Sequence, residues 1–236
     1  MADLIVTGAR IVTMDVACPV AQAVAIRDGR VLALGTDSQM RAMLPKARVI
    51  HAGGRLVLPG FIDAHVHLLD GGTDMAFSAG LHEVATIAEL QRVMGETASR
   101  VTGPLVMGAG WQATTFGDGT DGRMTRAVLD AVVPDRPCIA YDSSFHLALL
   151  NSAGCAACNL DAQQADPPNG HFVRDAAGRP TGMLHEEAVG WALAHGMPGI
   201  PDDWYAQGAR TGQAHANQYG ITGILDPSVQ DYHHRT

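Results

Sequence analysis

The chain has 236 residues, with 24 acidic side chains against 16 basic ones and a formal net charge of -8. That balance excludes a nucleic-acid binder, which needs a basic face to neutralise phosphates. A 47% hydrophobic and 17% charged composition excludes a disordered chain. No apolar run approaches the roughly 18 residues of a membrane span. The start, MADLIVTGAR, lacks the basic lead and apolar centre of a signal peptide. These readings place the protein in the cytoplasm, with neither nucleic acid nor membrane as a partner.

Two scarcities constrain the chemistry. Of the 16 basic residues, 15 are Arg and Lys46 is the single Lys; Glu occurs only at 83, 89, 96, 186 and 187. Four cysteines are present, and Cys155 and Cys158 have redox or zinc-knuckle spacing. A zinc knuckle needs a second pair, and Cys18 and Cys138 stand far apart. Structural thiols are the favoured reading, and no disulfide framework is expected.

The first 57 residues read as a small β unit. An extended segment over 2–14 bends at Gly8. Apolar runs over 21–34 are broken by Asp28-Gly29, a hairpin signal. A helix over 37–44 starts at Asp37 as N-cap and stops at Pro45. A further run over 48–58 breaks at Gly53-Gly54. Beyond Pro59, strands alternate with helices. Strands are expected near 61, 106, 139, 183 and 223. The stretch 86–101 is an amphipathic helix with Thr86 and Glu89 as a capping box. Helices are also expected over 125–133 and 202–219, the last stopped by Gly220, and from Leu147 to Ser152. Residues 159–182 form a Pro-, Gly- and Asp-rich hairpin excursion. Alternating β and α elements imply a parallel sheet or barrel.

One motif carries chemistry: Leu58-Pro-Gly-Phe-Ile-Asp-Ala-His-Val-His67. Histidines two apart on a strand point to one side, so His65 and His67 could grip one metal ion from its C-terminal end. Asp63 lies on the same side, placed to orient an imidazole. No motif surrounds His51, His82, His171, His195 or His215, and His233-His234 reads as a surface pair.

The run GRLVLPGFIDAHVH over 54–67 resembles the amidohydrolase superfamily signature PGxIDxHxH. Gly108-Ala-Gly-Trp111, Pro134-Asp-Arg-Pro137, Asp142 to His146 with Asn151-Ser152, Pro180-Thr-Gly-Met-Leu184 and Glu186 extend the resemblance to amidohydrolase family 3, the N-substituted formamide deformylase and YtcJ-like branch. The resemblance implies a (β/α)8 barrel flanked by a β-sandwich: here a partial barrel of about five strands over 58–236, preceded by a β-sandwich part over 1–57. It implies one or two divalent ions, zinc first among them, and a metal-activated water that attacks a non-peptide C–N bond of amide or formamide type in a small-molecule substrate. It implies metal ligation by His65, His67 and Glu186, with Glu187 the adjacent alternative. In many relatives a carboxylated lysine bridges two ions. Lys46 precedes the first histidine strand, so a bridging carboxylate must be Asp or Glu. Trp111 and His146 are expected to bind substrate. At residue 145 Phe stands where the family often has Gly.

About 180 residues follow Pro59, whereas a full barrel needs about 250 and at least about 200. Later histidines and the general-base aspartate have no counterpart, and Asp226 comes too early to be that base. Residues 229–236 carry no stop signal. The expectation is the N-terminal part of a longer hydrolase. The alternatives are a non-catalytic half-barrel serving in assembly, as a homo-oligomer, or one part of a split enzyme completed by another chain.

Overall fold

The computed structural model describes residues 3–227. Chain contacts divide it into two units. One runs to Ile62 and takes in Gly220–Gly223; the other comprises Asp63–Tyr219 and continues from Ile224. The division falls a few residues beyond the composition change at Pro59.

The first unit is built from β1 (Leu4–Thr7), β2 (Arg10–Val12), β3 (Val20–Ala21), β4 (Ala23–Arg27), β5 (Arg30–Gly35), α1 (Asp37–Met43), β6 (Arg48–His51) and β7 (Leu56–Val57). Its four-stranded sheet has the order β5-β4-β1-β6, and a three-stranded sheet has the order β3-β2-β7. Ile5, Ala23 and Ala25 of the larger sheet pack with Met40 and Leu44 at the helix, while Val24 packs with Ile11, Ala21 and Ala52. Alternate residues of β4 therefore serve two apolar layers, as the period of a strand dictates. Asp28 and Gly29 take positive φ of 53° and 75°, forming the expected hairpin. The helix is capped one residue earlier than expected. Thr36 accepts from the Gln39 N–H, and the Gln39 side chain accepts from the Thr36 N–H. Asp37 instead accepts from the Gly8 N–H at 3.0 Å.

At the boundary stands β8 (Phe61–Asp63). The second unit continues with α2 (Leu68–Phe77), β9 (Ala79–Gly80), α3 (Ile87–Arg100), β10 (Val106–Trp111), α4 (Ala113–Phe116), α5 (Arg126–Asp130), β11 (Cys138–Asp142), β12 (Leu147–Leu150), α6 (Ser152–Ala157), β13 (Gly170–Arg174), β14 (Pro180–Glu186), α7 (Glu187–Ala194) and α8 (Asp202–Gln218), followed by β15 (Ile221–Ile224). Six strands form one sheet in the order β13-β14-β12-β11-β10-β9.

Three expectations are corrected here. The sheet is mixed: β9, β10 and β11 run parallel, but β12 runs antiparallel to both β11 and β14, and β13 antiparallel to β14. Residues 147–150 form a strand, not the start of a helix. Leu and Ala favour helices locally, but here both edges of the segment find strand partners and Ala148, Leu149 and Leu150 are fully buried. The five strands expected in one series also fall in two sheets. Those near 106, 139 and 183 lie in the six-stranded sheet, whereas β8 pairs with β15 alone. Phe61 N–H donates to Gly220 C=O and Leu225 N–H to Asp63 C=O, so residue numbers rise together along that pair, as in parallel strands. The described residues form no closed barrel.

The helix over 87–100 has its expected capping box: Glu89 accepts from the Thr86 and Ala85 N–H groups. Its Leu90 and Met94 enter a core with Leu81, Val106, Trp111, Leu129 and Met183. On the sheet's other face Leu105, Ile139, Phe172 and Leu184 pack with Ala188, Ala192 and Trp204. Asn151 ties this frame together. Fully buried, it accepts from Cys138 and Gly154 N–H groups and donates to the Val133 and Arg136 carbonyls. No helix among the described residues is long and apolar enough to cross a membrane. Residues 228–236, including His233-His234, lie outside the described residues.

Candidate functional site

The two motif histidines do not sit on the strand. β8 ends at Asp63; His65 follows in a bend and His67 is the N-cap residue of α2. The strand ends early because Asp63 folds back and accepts from the His65 N–H at 3.0 Å. That main-chain bond takes one oxygen of Asp63, the residue expected to orient an imidazole. The imidazoles still lie together, with ring centroids 5.4 Å apart and planes at 80°. Beside them stands Asp226, just past β15. Its carboxylate lies 3.7 Å from His67 Nδ1 and accepts from the Leu69 N–H at 3.4 Å.

A cavity of about 1040 Å³ opens in the second unit. His67, His146, Glu186 and Glu187 line it together with Asp70, Asp74 and His82, and Met107, Tyr141, Val189 and Leu193 supply apolar wall. Three of the five expected site residues therefore share one space. His65 and Trp111 do not line it.

Glu186 is positioned by a sharp junction. It is the last residue of β14 and the N-cap residue of α7, with φ 54° and ψ -126°. A non-glycine residue in that region carries strain of about 1–3 kcal/mol. The strain turns the chain from strand to helix within one residue and presents the carboxylate at the turn. His146 Nδ1 lies 2.6 Å from Glu186 Oε2. The hydrogen bond to Glu186, reinforced by its charge, raises the His146 pKa above the usual imidazole value. His146 is held by its own loop: buried Asp142 accepts from the Leu147 N–H and the Ser144 hydroxyl, and Phe145 takes φ 62°. Burial raises the Asp74 carboxyl pKa, opposed by a hydrogen bond from Ser78.

Trp111 has no surface from which to meet a substrate. It is 0% exposed, its indole N–H donates to the Ala140 carbonyl at 3.2 Å, and Phe116 meets it edge-on. A β-bulge at Gly110, φ 106°, shifts the register between Ala109 and Trp111 and turns the indole away from the face of Met107 and Ala109 into the core with Val106 and Met94. Lys46 stays in the first unit, exposed, between α1 and β6. Cys155 and Cys158 are buried, and Cys158 Sγ donates to the Gly154 carbonyl.

The donor chemistry around the cavity, imidazole and carboxylate, suits a borderline divalent ion. Among the described residues, however, no three His, Cys, Asp or Glu side chains converge as a metal-holding group. Sequence reasoning missed Asp226 as a neighbour of His67, because the pairing of β8 with β15 across some 160 intervening residues leaves no local signal. It also passed over His82 and Asp74, which lie in no motif.

Comparison with known proteins adds three findings. The family model described as "Amidohydrolase family" (Amidohydro_3) matches residues 48–235. N-substituted formamide deformylase of Arthrobacter pascens is 30% identical over 235 residues, covering 97% of this chain and 43% of its own length. Protein LONG AFTER FAR-RED 3 of Arabidopsis thaliana is 31% identical over 80% of this chain and 32% of its own, and the putative amidohydrolase YtcJ of Bacillus subtilis is 28% identical over 71% and 32%. A solved structure of an uncharacterized metal-dependent hydrolase from Pyrococcus horikoshii superposes with a TM-score of 0.77 at 22% identity, over 99% of this chain and 44% of that one; this likeness concerns the fold. The chain spans a third to under a half of the length of these relatives. On the match over residues 48–235, the chain belongs to the amidohydrolase family.

Proposed function

We propose that this chain carries part of the active site of a metal-dependent hydrolase acting on a non-peptide C–N bond, of the N-substituted formamide or amide type. The supporting observation is the meeting on one cavity of His67 at the start of α2, His146 just before β12 and Glu186 at the end of β14. The chemistry named for the formamide deformylase of Arthrobacter pascens supports the substrate class. In this reading β8 and β15 are neighbouring barrel strands, and residues 64–220 form an excursion between them.

His65, His67 and Glu186 would hold the divalent ion, with zinc the first expectation. A bound ion of this kind lowers the pKa of a coordinated water and polarises a carbonyl. Glu186 enters with one carboxylate oxygen held by His146 Nδ1, leaving the other to ligate. Such an outer partner fixes a ligand's orientation. Asp226 would steady His67 in the same way. His146 stands on the cavity wall, where it also meets substrate. The apolar wall of Met107, Tyr141, Val189 and Leu193 would take the substituent on nitrogen and exclude water from it.

The test is amine release from N-substituted formamides, and zinc retained after dialysis, for the protein and its His65→Ala/His67→Ala and Glu186→Ala variants. Turnover should fall at least about tenfold in each variant, the scale of losing groups at a metal site, and the zinc retained should drop by one equivalent. Undiminished zinc retention and turnover in the double histidine variant would sink the reading.

A second reading rests on a separate observation. Phe61 and Ile62 of β8 are 52% and 77% exposed. A two-stranded sheet with bare apolar residues seeks further strands, which supports association with another copy or a complementing chain. Sedimentation that finds only monomers would count against it.

A further inference from the structure

The hairpin of β13 and β14 carries a second pair of histidines, away from the HxH motif. His171 and His185 are direct cross-strand partners, so their side chains leave the same face of the sheet. Their ring centroids are 5.9 Å apart, with planes at 71°. Two imidazoles bound to one ion at about 2.0–2.1 Å from each nitrogen require a similar separation.

The hydrogen bonds around the pair settle which ring nitrogens are free. His171 Nδ1 lies 2.7 Å from Asp166 Oδ2, and His185 Nε2 lies 2.7 Å from the Asp118 main-chain carbonyl. A carboxylate and a carbonyl can only accept. His171 must therefore carry its proton on Nδ1 and His185 on Nε2. In each neutral ring the opposite nitrogen keeps its lone pair: Nε2 of His171 and Nδ1 of His185. Carboxylate or carbonyl partners on the far ring nitrogen are the arrangement that orients metal-ligating histidines.

The surroundings supply few competitors. Asp166 is shared with Arg174, which donates to its Oδ1 at 2.8 Å, and with the Phe172 N–H. The Asp118 carboxylate is engaged by Thr120. His171 is exposed and His185 half-buried.

We infer that His171 and His185 form a two-histidine site for a borderline divalent cation such as zinc or nickel, completed by water. An ion there would clamp the hairpin to the Asp118 loop. Because β14 ends at Glu186 one residue beyond His185, the clamp would also brace the turn that presents Glu186.

The inference does not depend on the proposed hydrolase activity, and its test separates the two. Zinc is titrated calorimetrically into the full chain carrying His65→Ala and His67→Ala. A single zinc should still bind. Adding His171→Ala or His185→Ala should weaken it at least about tenfold, and Asp166→Asn by about tenfold. Loss of all zinc binding in the parent variant, or binding untouched by both added substitutions, would overturn the site. A second measurement needs no variant. Imidazole nitrogen spectra of the unaltered protein should show the Nδ1–H form for His171 and the Nε2–H form for His185. The opposite assignment at either ring would remove the free lone pair on which the inference rests.

Discussion

At the residue scale, the metal role proposed for Glu186 is set against its cost in stability. Its φ of 54° with ψ of -126° suits glycine and costs any other residue. Nothing in the surrounding fold requires a carboxylate there, since Glu186 is exposed and its partner His146 is exposed too. Replacing Glu186 by Gly should therefore raise the midpoint of thermal unfolding, by an amount worth about 1 kcal/mol, while abolishing metal-dependent turnover. Calorimetry and an activity assay on one preparation check both halves. A Glu186→Gly protein that is less stable than the original would show that the strain is repaid locally. The identity of this residue was legible in the sequence only through the family pattern. Its backbone strain was not, because the amino acid at 186 gives no hint of positive φ. Trp111 shows the converse: its glycine-flanked position suggested a pocket, yet a β-bulge at Gly110 breaks the strand alternation and sends it into the core.

At the element scale, α2 and α8 meet closely enough to need glycine. A Cβ on Gly72 would lie 2.1 Å from the Gly208 carbonyl oxygen and 2.8 Å from the Gly212 nitrogen. Those atoms are backbone and cannot swing aside. The contact fixes α2, whose N-cap residue is His67, so helix packing and the motif are one problem. Gly72→Ala should destabilise the fold by about 1–3 kcal/mol through overpacking and blunt activity by displacing His67. Urea unfolding followed by circular dichroism measures the first effect; an unchanged midpoint would mean that the helices separate at little cost. These glycines also explain why α2 escaped detection. Two of its ten residues, Gly71 and Gly72, oppose helix formation locally, and the gain from packing on α8 is invisible to a local reading. Helix α3, by contrast, was legible to within one residue at each end, since its cap and its apolar face agree. β12 and the β8–β15 pairing were not legible, because both depend on partners distant in sequence.

At the scale of the whole molecule, the cysteines report on how the second unit opens. Cys18 is exposed in the first unit, whereas Cys138, Cys155 and Cys158 are buried in the second. Burial pushes the Cys138 and Cys155 thiols up to about 12 and raises Cys158 as well. Thiolate is the reactive form, so buried neutral thiols resist both alkylation and metal exchange, which supports the structural reading of Cys155 and Cys158. One thiol of the four should react rapidly with an aromatic disulfide reagent near pH 8, and the other three only as the unit unfolds. The pH dependence follows in sign. These acids have a folded pKa above the unfolded value of about 8.5, so their contribution to stability is complete below about pH 8.5. It is lost as pH rises from there toward 12, because the unfolded chain ionises first. Stability measured by denaturant unfolding should therefore fall steadily above about pH 8.5, and Cys138→Ala with Cys155→Ala should flatten that fall while lowering stability at pH 7. Rapid reaction of Cys155 or Cys158 in the native protein, or a disulfide between them under mild oxidation, would return the pair to the redox or metal role that its spacing first suggested.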